Sequence, residues 1–284
     1  MMCLGLVLGI LLGGFPAYTK EISMASLALA MTLSLSTVSL VEAKGKDHLN
    51  HAARALIVNY VVLTALILVI ALFFSKDLRN GWILMAAAPS AVSVVPFTTI
   101  LGGQTTKALF STAVNYIVAL ALMPILTLIM IGSGVSTIEL VYSLLLLIAL
   151  PMALSRGVIR LKLSKPANSS LMNLSFAVLI FAVAGANRSA FVGEPYIVLA
   201  VALGGVVRTF GIGLGTEFAL REFSVPKPVR ISYVLFASYK NLGLTATLAI
   251  ALFEPVVAVP ATICIVFEVV WVIFLGRFYP KFKE

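Results

Sequence analysis

Ala88-Pro-Ser-Ala-Val-Ser-Val-Val-Pro96 interrupts an apolar stretch that runs from residue 81 to residue 101. Each proline removes a backbone donor and disfavours a continuous helix. A second stretch, Ser238-Tyr-Lys-Asn-Leu-Gly243, does the same within residues 230–252, and Glu254-Pro255 and Pro260 follow it. Unwound backbone at membrane depth survives only where it is buried in protein or lines a cavity. Interrupted spans at matching places in two halves of a chain are the sequence pointer to a transport site.

The surrounding chain supports that reading. It has 284 residues, 61% of them hydrophobic and 11% charged, with a mean hydropathy of +1.10. Soluble domains are roughly 45–50% apolar and about 25% charged. This composition excludes a soluble globular domain, a disordered chain and a disulfide scaffold. A helix needs about 20 apolar residues to cross a bilayer. Apolar runs broken by charges give ten candidate spans, near 3–19, 22–41, 54–75, 81–101, 107–132, 138–159, 170–187, 194–221, 230–252 and 255–277. The expected fold class is an all-α polytopic membrane protein. The first run starts at Cys3 with no basic segment before it and no clear small-x-small cleavage site, so it is expected to be a span.

A net charge of +9 suggests nucleic acid in a soluble protein; here it encodes sidedness. If ten spans alternate, one side receives Lys44, Lys46, Arg54, Lys107, Arg156, Arg160, Lys162, Lys165, Arg221, Lys227, Arg230, Arg277, Lys281 and Lys283. The other side receives Lys20, Lys76, Arg79 and Arg188. The positive-inside rule then places both termini in the cytoplasm, with the protein in an inner or plasma membrane. Nucleic acid is not an expected partner.

Ile131-Gly-Ser-Gly134 separates five spans from five, dividing a single transporter domain into repeats of about 1–133 and 138–284. Five is odd, so the second repeat inserts upside down. The interrupted spans are the fourth of each repeat, expected to cross near the bilayer midplane.

Arg208 and Lys240 are the two basic residues left inside spans. A cation at that depth costs roughly 2.5–3.5 kcal/mol on insertion scales, so it is expected to be paired, to face water or to titrate. Arg208 suits a carboxylate or sulfonate bidentately. Glu268, inside the tenth span, is expected to pair with Lys240 or Arg208, or to carry a proton. Asn241 follows Lys240 directly. Ser93, Asn59, Gln104, Thr112, Asn115 and Thr106 are further polar candidates, although Asn and Thr also serve as interhelical glue. His48 and His51 read as exposed residues of the charged 2–3 loop. Cys3 and Cys264 have no metal-ligand spacing. No HExxH, GxSxG or P-loop is present, and Gly211-Ile-Gly-Leu-Gly215 reads as small-residue helix packing. No enzyme, cofactor or metal site is expected.

Lys240-Asn-Leu-Gly-Leu-Thr-Ala246, followed by Glu254-Pro-Val-Val-Ala-Val-Pro-Ala261, resembles the bile acid:sodium symporter family, whose members read Gln-Asn-Ser-Gly-Leu-Ala and then a Pro-Val-Val-Ala-Val-Pro-Gly-like stretch. Ala88-Pro-Ser-Ala-Val-Ser-Val-Val stands where the family has Cys-Pro-Gly-Gly-Thr-Ala-Ser-Asn, and Gly103-Gln104 stands at its Gly-Asn. The resemblance implies ten helices in two inverted five-helix repeats, broken helices four and nine, alternating access, and bile acids or smaller organic anions driven by sodium.

The family's sodium ligands are largely replaced. Its Ser-Asn pair falls on Val94 and Val95, its acidic residue on Phe236, its Gln on Lys240, its fifth-span Ser and Thr on Ala108 and Thr112, and a third-span Gln on Asn59. Two valines, a phenylalanine and a lysine make no oxygen cage. The expectation is a secondary transporter of an organic anion, independent of sodium, with Lys240 as a built-in cation. The alternative is a proton-coupled carrier of the auxin-efflux or cation/proton-antiporter type, using Lys240 and Glu268. A membrane-embedded enzyme or sensor is the reading from a different class.

Overall fold

Gly13 and Gly14 end the first helix in left-handed backbone, at φ +85° and +71°. Gly14 then packs backbone to backbone against Gly185, and a Cβ on either glycine would collide with the other strand of chain. The first helix is thereby held along a partner more than 160 residues away. The computed structural model describes residues 1–36, 46–132, 136–161 and 163–279, and every regular element among them is helical.

The helices, in chain order, are α1 Met2–Leu12, α2 Thr19–Ser36, α3 Lys46–Ala71, α4 Lys76–Ala87, α5 Val94–Leu101, α6 Thr105–Ile131, α7 Thr137–Arg160, α8 Lys165–Ala186, α9 Arg188–Gly193, α10 Pro195–Glu222, α11 Lys227–Ser238, α12 Leu242–Leu252 and α13 Val259–Phe278. A 3-10 turn, Pro255–Ala258, leads into α13.

Among the described residues, seven helical segments are long and apolar enough to cross a membrane: Lys46–Ala71, Thr105–Ile131, Thr137–Arg160, Pro166–Ala186, Pro195–Glu222, Lys227–Leu252 and Pro255–Phe278. The remaining runs fall short for separate reasons. Residues 3–19 yield a helix of only 11 residues, stopped at Gly13. The described part of residues 22–41 belongs to α2, whose start is diluted by Thr19, Lys20, Glu21 and Ser23. Residues 81–101 yield the two short pieces α4 and α5. Large apolar side chains are exposed on the outer surfaces of many helices, among them Leu11, Ile117, Ile129, Leu199, Leu203 and Ile273, as a lipid-facing surface requires.

α1 and α2 pack on α8, and α2 also packs on α7. A second group is built from α3 on α6, α4 against α3 and α6, α10 on α13, and α11 beside α10. The groups meet where α12 touches α2 and α8, and where α7 leans on α6. Within the glycine run of α10, Gly213 is seated against Trp271, whereas Gly211 has only Val207 of its own helix nearby and Gly215 has open space, so only part of that run is close packing.

Among the described residues, three helices widen into π-turns, at Val58–Leu63 in α3, Leu145–Ala149 in α7 and Val207–Gly211 in α10. Such widenings recur at functional sites. Two of them carry candidate residues: Asn59 in α3 and Arg208 in α10.

His51 corrects its expectation. α3 begins at Lys46, so His51 lies on a helix rather than in a loop, and it is buried. Its Nδ1 lies 2.8 Å from Ser111 Oγ, and its ring stacks on Tyr233 at 4.7 Å. Lys44, Lys162, Lys281, Lys283 and the Ser133-Gly134 boundary of the expected repeats lie outside the described residues.

Candidate functional site

The first break begins at Ala88, whose backbone is extended (φ −66°, ψ 151°). A residue before proline is pushed out of the helical region, and Pro89 supplies that push. The chain becomes helical again at Val94. The second break begins at Tyr239 (φ −116°, ψ 125°). It ends at Asn241, whose Oδ1 accepts from the Leu244 N–H at 3.0 Å, a side-chain N-cap for α12. The breaks meet directly: the Asn241 N–H donates to the Pro89 carbonyl at 2.8 Å.

Lys240 crosses from the second break into the first. Its side chain is fully buried. Nζ donates to the carbonyls of Ala88 at 2.8 Å and Ala86 at 2.9 Å, and to Asn59 Oδ1 and Thr64 Oγ1 at 3.1 Å each. The Tyr60 ring covers it at 4.6 Å, a cation–π contact. The two carbonyls belong to the C-terminal end of α4, where helix oxygens lack partners and the dipole is negative. The Thr64 hydroxyl also contacts the Ala86 and Asn59 carbonyls, at 2.8 and 3.2 Å, which take its hydrogen. Every oxygen facing Nζ is therefore an acceptor. That suits an ammonium, which has three donors and no acceptor. A neutral amine would turn its lone pair toward one of them.

Asn59 serves both breaks. Its Nδ2 donates to the carbonyls of Phe236 at 2.9 Å and Tyr239 at 3.2 Å, at the end of α11, while Oδ1 faces Lys240. Arg208 serves the second break from the opposite side. Its Nη2 donates to the Ser238 carbonyl at 2.7 Å and to Glu268 Oε1 at 2.5 Å. The same Glu268 oxygen accepts from the Lys240 backbone N–H at 3.2 Å. Of the partners open to Glu268, the geometry thus selects Arg208 for its ion pair and only the backbone of Lys240. Glu217 pairs instead with Arg230 and Tyr279.

A cavity of about 280 Å³ opens beside the meeting point. Ala91, Val92 and Ser93 line it from the first break, and Tyr239 to Gly243 from the second. Glu268 reaches it from α13, Ser34 from α2 and Asn173 from α8. Its remaining walls are apolar and include Met2, Met31, Met172, Phe97 and Phe176. Both α5 and α12 start at its edge.

Lys240, Asn241, Asn59, Arg208, Glu268 and Ser93 therefore come together. Asn241 Nδ2 also donates to the Tyr116 hydroxyl at 2.7 Å. Gln104 lies apart, at the start of α6, with its backbone N–H on the Pro228 carbonyl. Thr112 is buried on α6 and makes no contact with the Lys240 shell; its Oγ1 has no partner. Asn115 donates from Nδ2 to the Ser111 carbonyl at 3.0 Å.

Val94, Ala108 and Phe236 gather in one buried apolar cluster with Tyr233 and Leu235. Phe236 also faces the His51 ring edge-on at 6.5 Å. The side chains of Val94, Ala108 and Phe236 supply no oxygen. No cluster of three or more His, Cys, Asp or Glu side chains able to hold a metal occurs among the described residues. Sequence reasoning missed Thr64, Tyr60, Tyr116 and Ser238. Their polar atoms are ordinary in membrane helices and point inward only once the breaks are in place.

No curated protein matches the chain. The Sodium Bile acid symporter family matches residues 18–193, which take in the first break, Asn59 and Thr112 but stop before Arg208, Lys240 and Glu268. Because that match spans more than half of the sequence, the chain belongs to the Sodium Bile acid symporter family and is a membrane transporter, not an enzyme.

Proposed function

We propose that the chain is a secondary transporter of an organic anion that works by alternating access without sodium, with the Lys240 ammonium standing in for the cation. The observation that carries this is the closed shell of four oxygens around Lys240 Nζ, two of them carbonyls at the end of α4. A free cation at that place would have to displace a charge already bonded. The apolar cluster of Val94, Ala108 and Phe236 supports the same reading. No cofactor takes part.

The scaffold we propose is ten spans in two inverted repeats, about 1–133 and 138–284, with both termini in the cytoplasm of an inner or plasma membrane. Matching features support the repeat: a π-turn in the third span of each half, bearing Asn59 and Arg208, and a break in the fourth.

Substrate binds in the cavity between the breaks. The N-terminal ends of α5 and α12 face it, and helix N-termini favour anions. The walls around them are apolar, so the substrate is amphipathic: a carboxylate or sulfonate head with an apolar body. A cavity of about 280 Å³ sits at the lower edge of the roughly 300–1,000 Å³ usual for small-molecule sites. This favours molecules smaller than bile acids.

A thermal-shift screen of organic anions, run with and without sodium, tests the proposal. Bound ligand raises the melting point by mass action. The expected result is stabilisation by an anion to the same extent in sodium and in choline; stabilisation that requires sodium overturns it. A second reading, proton-coupled transport, is favoured by one observation: Glu268 lines the cavity. Uptake that follows an imposed pH gradient would establish it.

A further inference from the structure

We propose that this carrier releases organic monoanions from the cell, driven by the membrane potential, because its counter-cations are covalently part of the chain. The inference rests on the reading of Lys240 as the resident cation and adds a direction to it.

The argument is a charge account. The Lys, Arg, Asp and Glu side chains that stand at the meeting of the breaks among the described residues are Lys240, Arg208 and Glu268. Lys240 is held by the end of α4, and Arg208 by Glu268 and the end of α11. Each broken helix thus has its partnerless carbonyls served by a cation attached to the protein. A freely diffusing cation would cross with the substrate and leave its charge on the far side. An attached one returns with the empty carrier. Over a full cycle the attached charges cancel, and the net charge moved is that of the substrate alone. For a monoanion this is one negative charge per turnover.

The membrane potential then sets the sign. One elementary charge across 100 mV is worth about 2.3 kcal/mol, a ratio of about 50-fold at equilibrium. With the cell interior negative, that ratio favours the outside. A carrier that borrowed sodium could run uptake against this potential; one that owns its cations runs release.

The test uses the full chain in sodium-free proteoliposomes at equal pH on both sides, with valinomycin and potassium setting the potential. The probes are radiolabelled hexanesulfonate, benzenesulfonate and taurocholate, which stay charged, with protein-free vesicles as background. The equilibrium ratio does not depend on the orientation of the inserted protein. The expected result is accumulation at inside-positive potential and exclusion at inside-negative potential, by about 50-fold per 100 mV. A distribution indifferent to potential overturns the inference and leaves sodium independence standing. Accumulation against an inside-negative potential on adding external sodium overturns the underlying reading instead. No protein-dependent movement of any probe overturns the anion-carrier reading as well.

Discussion

The Nζ of Lys240 lies 2.8 Å from the carbonyl of Ala88, a residue 152 positions earlier in the chain. A side chain from one interrupted helix thereby caps the other. The two breaks form one bonded unit, and the Asn241 N–H on Pro89 closes it from the backbone.

Removing the ammonium should expose the cost of that unit. Lys240→Met keeps most of the length of the side chain but leaves the buried Ala88 carbonyl and Asn59 Oδ1 without the donor they now have. An unsatisfied buried group costs about 1–3 kcal/mol, so the variant should unfold several degrees lower in detergent and lose transport. Unchanged melting and unchanged flux together would take Lys240 out of both roles.

Arg208 and Glu268 should behave as a unit. Breaking a buried ion pair by removing one partner costs about 3–5 kcal/mol, whereas replacing both with apolar residues is far milder. Arg208→Met and Glu268→Met should each destabilise strongly, and the double variant should recover part of the loss. Additive losses in a double-mutant cycle would show that the pair is not coupled.

Thr64→Val is the most conservative probe of the Lys240 shell. It is nearly isosteric and deletes one oxygen 3.1 Å from Nζ. Stability should fall by about 1 kcal/mol, with transport reduced more than expression. Thr106→Val, outside the shell, should change neither, which calibrates the comparison.

The cavity can be located by chemistry. In a background with Cys3→Ser and Cys264→Ala, Asn173→Cys should react with a membrane-impermeant thiol reagent, and a bound anion should protect it. Ser111→Cys, fully buried beside His51, should stay unreactive in the folded protein. Equal labelling at both positions would contradict this cavity.

Much of the fold was legible because the bilayer imposes a coarse rule on apolar length. That rule is blunt at α1 and α4–α5, where glycine and proline stop the helices early, and at α2, whose first turns are polar. The site residues that stood out were those whose charge is expensive in an apolar run: Lys240, Arg208 and Glu268. Their partners were not legible. Glu268 had two cations to choose between, and only the placement of α13 beside α10 decides the choice. Thr64 was hidden by register. It lies five residues after Asn59, a spacing that a regular α-helix turns away from a common face. The π-turn at Val58–Leu63 brings the two back together around Nζ. His51 was misread because the charges near it suggested a loop, while its stacking partner Tyr233 comes from α11.

The cavity wall carries one more consequence. Met2, Met31 and Met172 reach it from three different helices. Methionine is unbranched, with three rotatable bonds and a polarisable sulfur, so it refills space as its neighbours change. A pocket floored by thioethers fixes the charge of its guest more strictly than the outline. Selection at this site should therefore run on the head group, with a graded series of aliphatic and aromatic bodies accepted behind it.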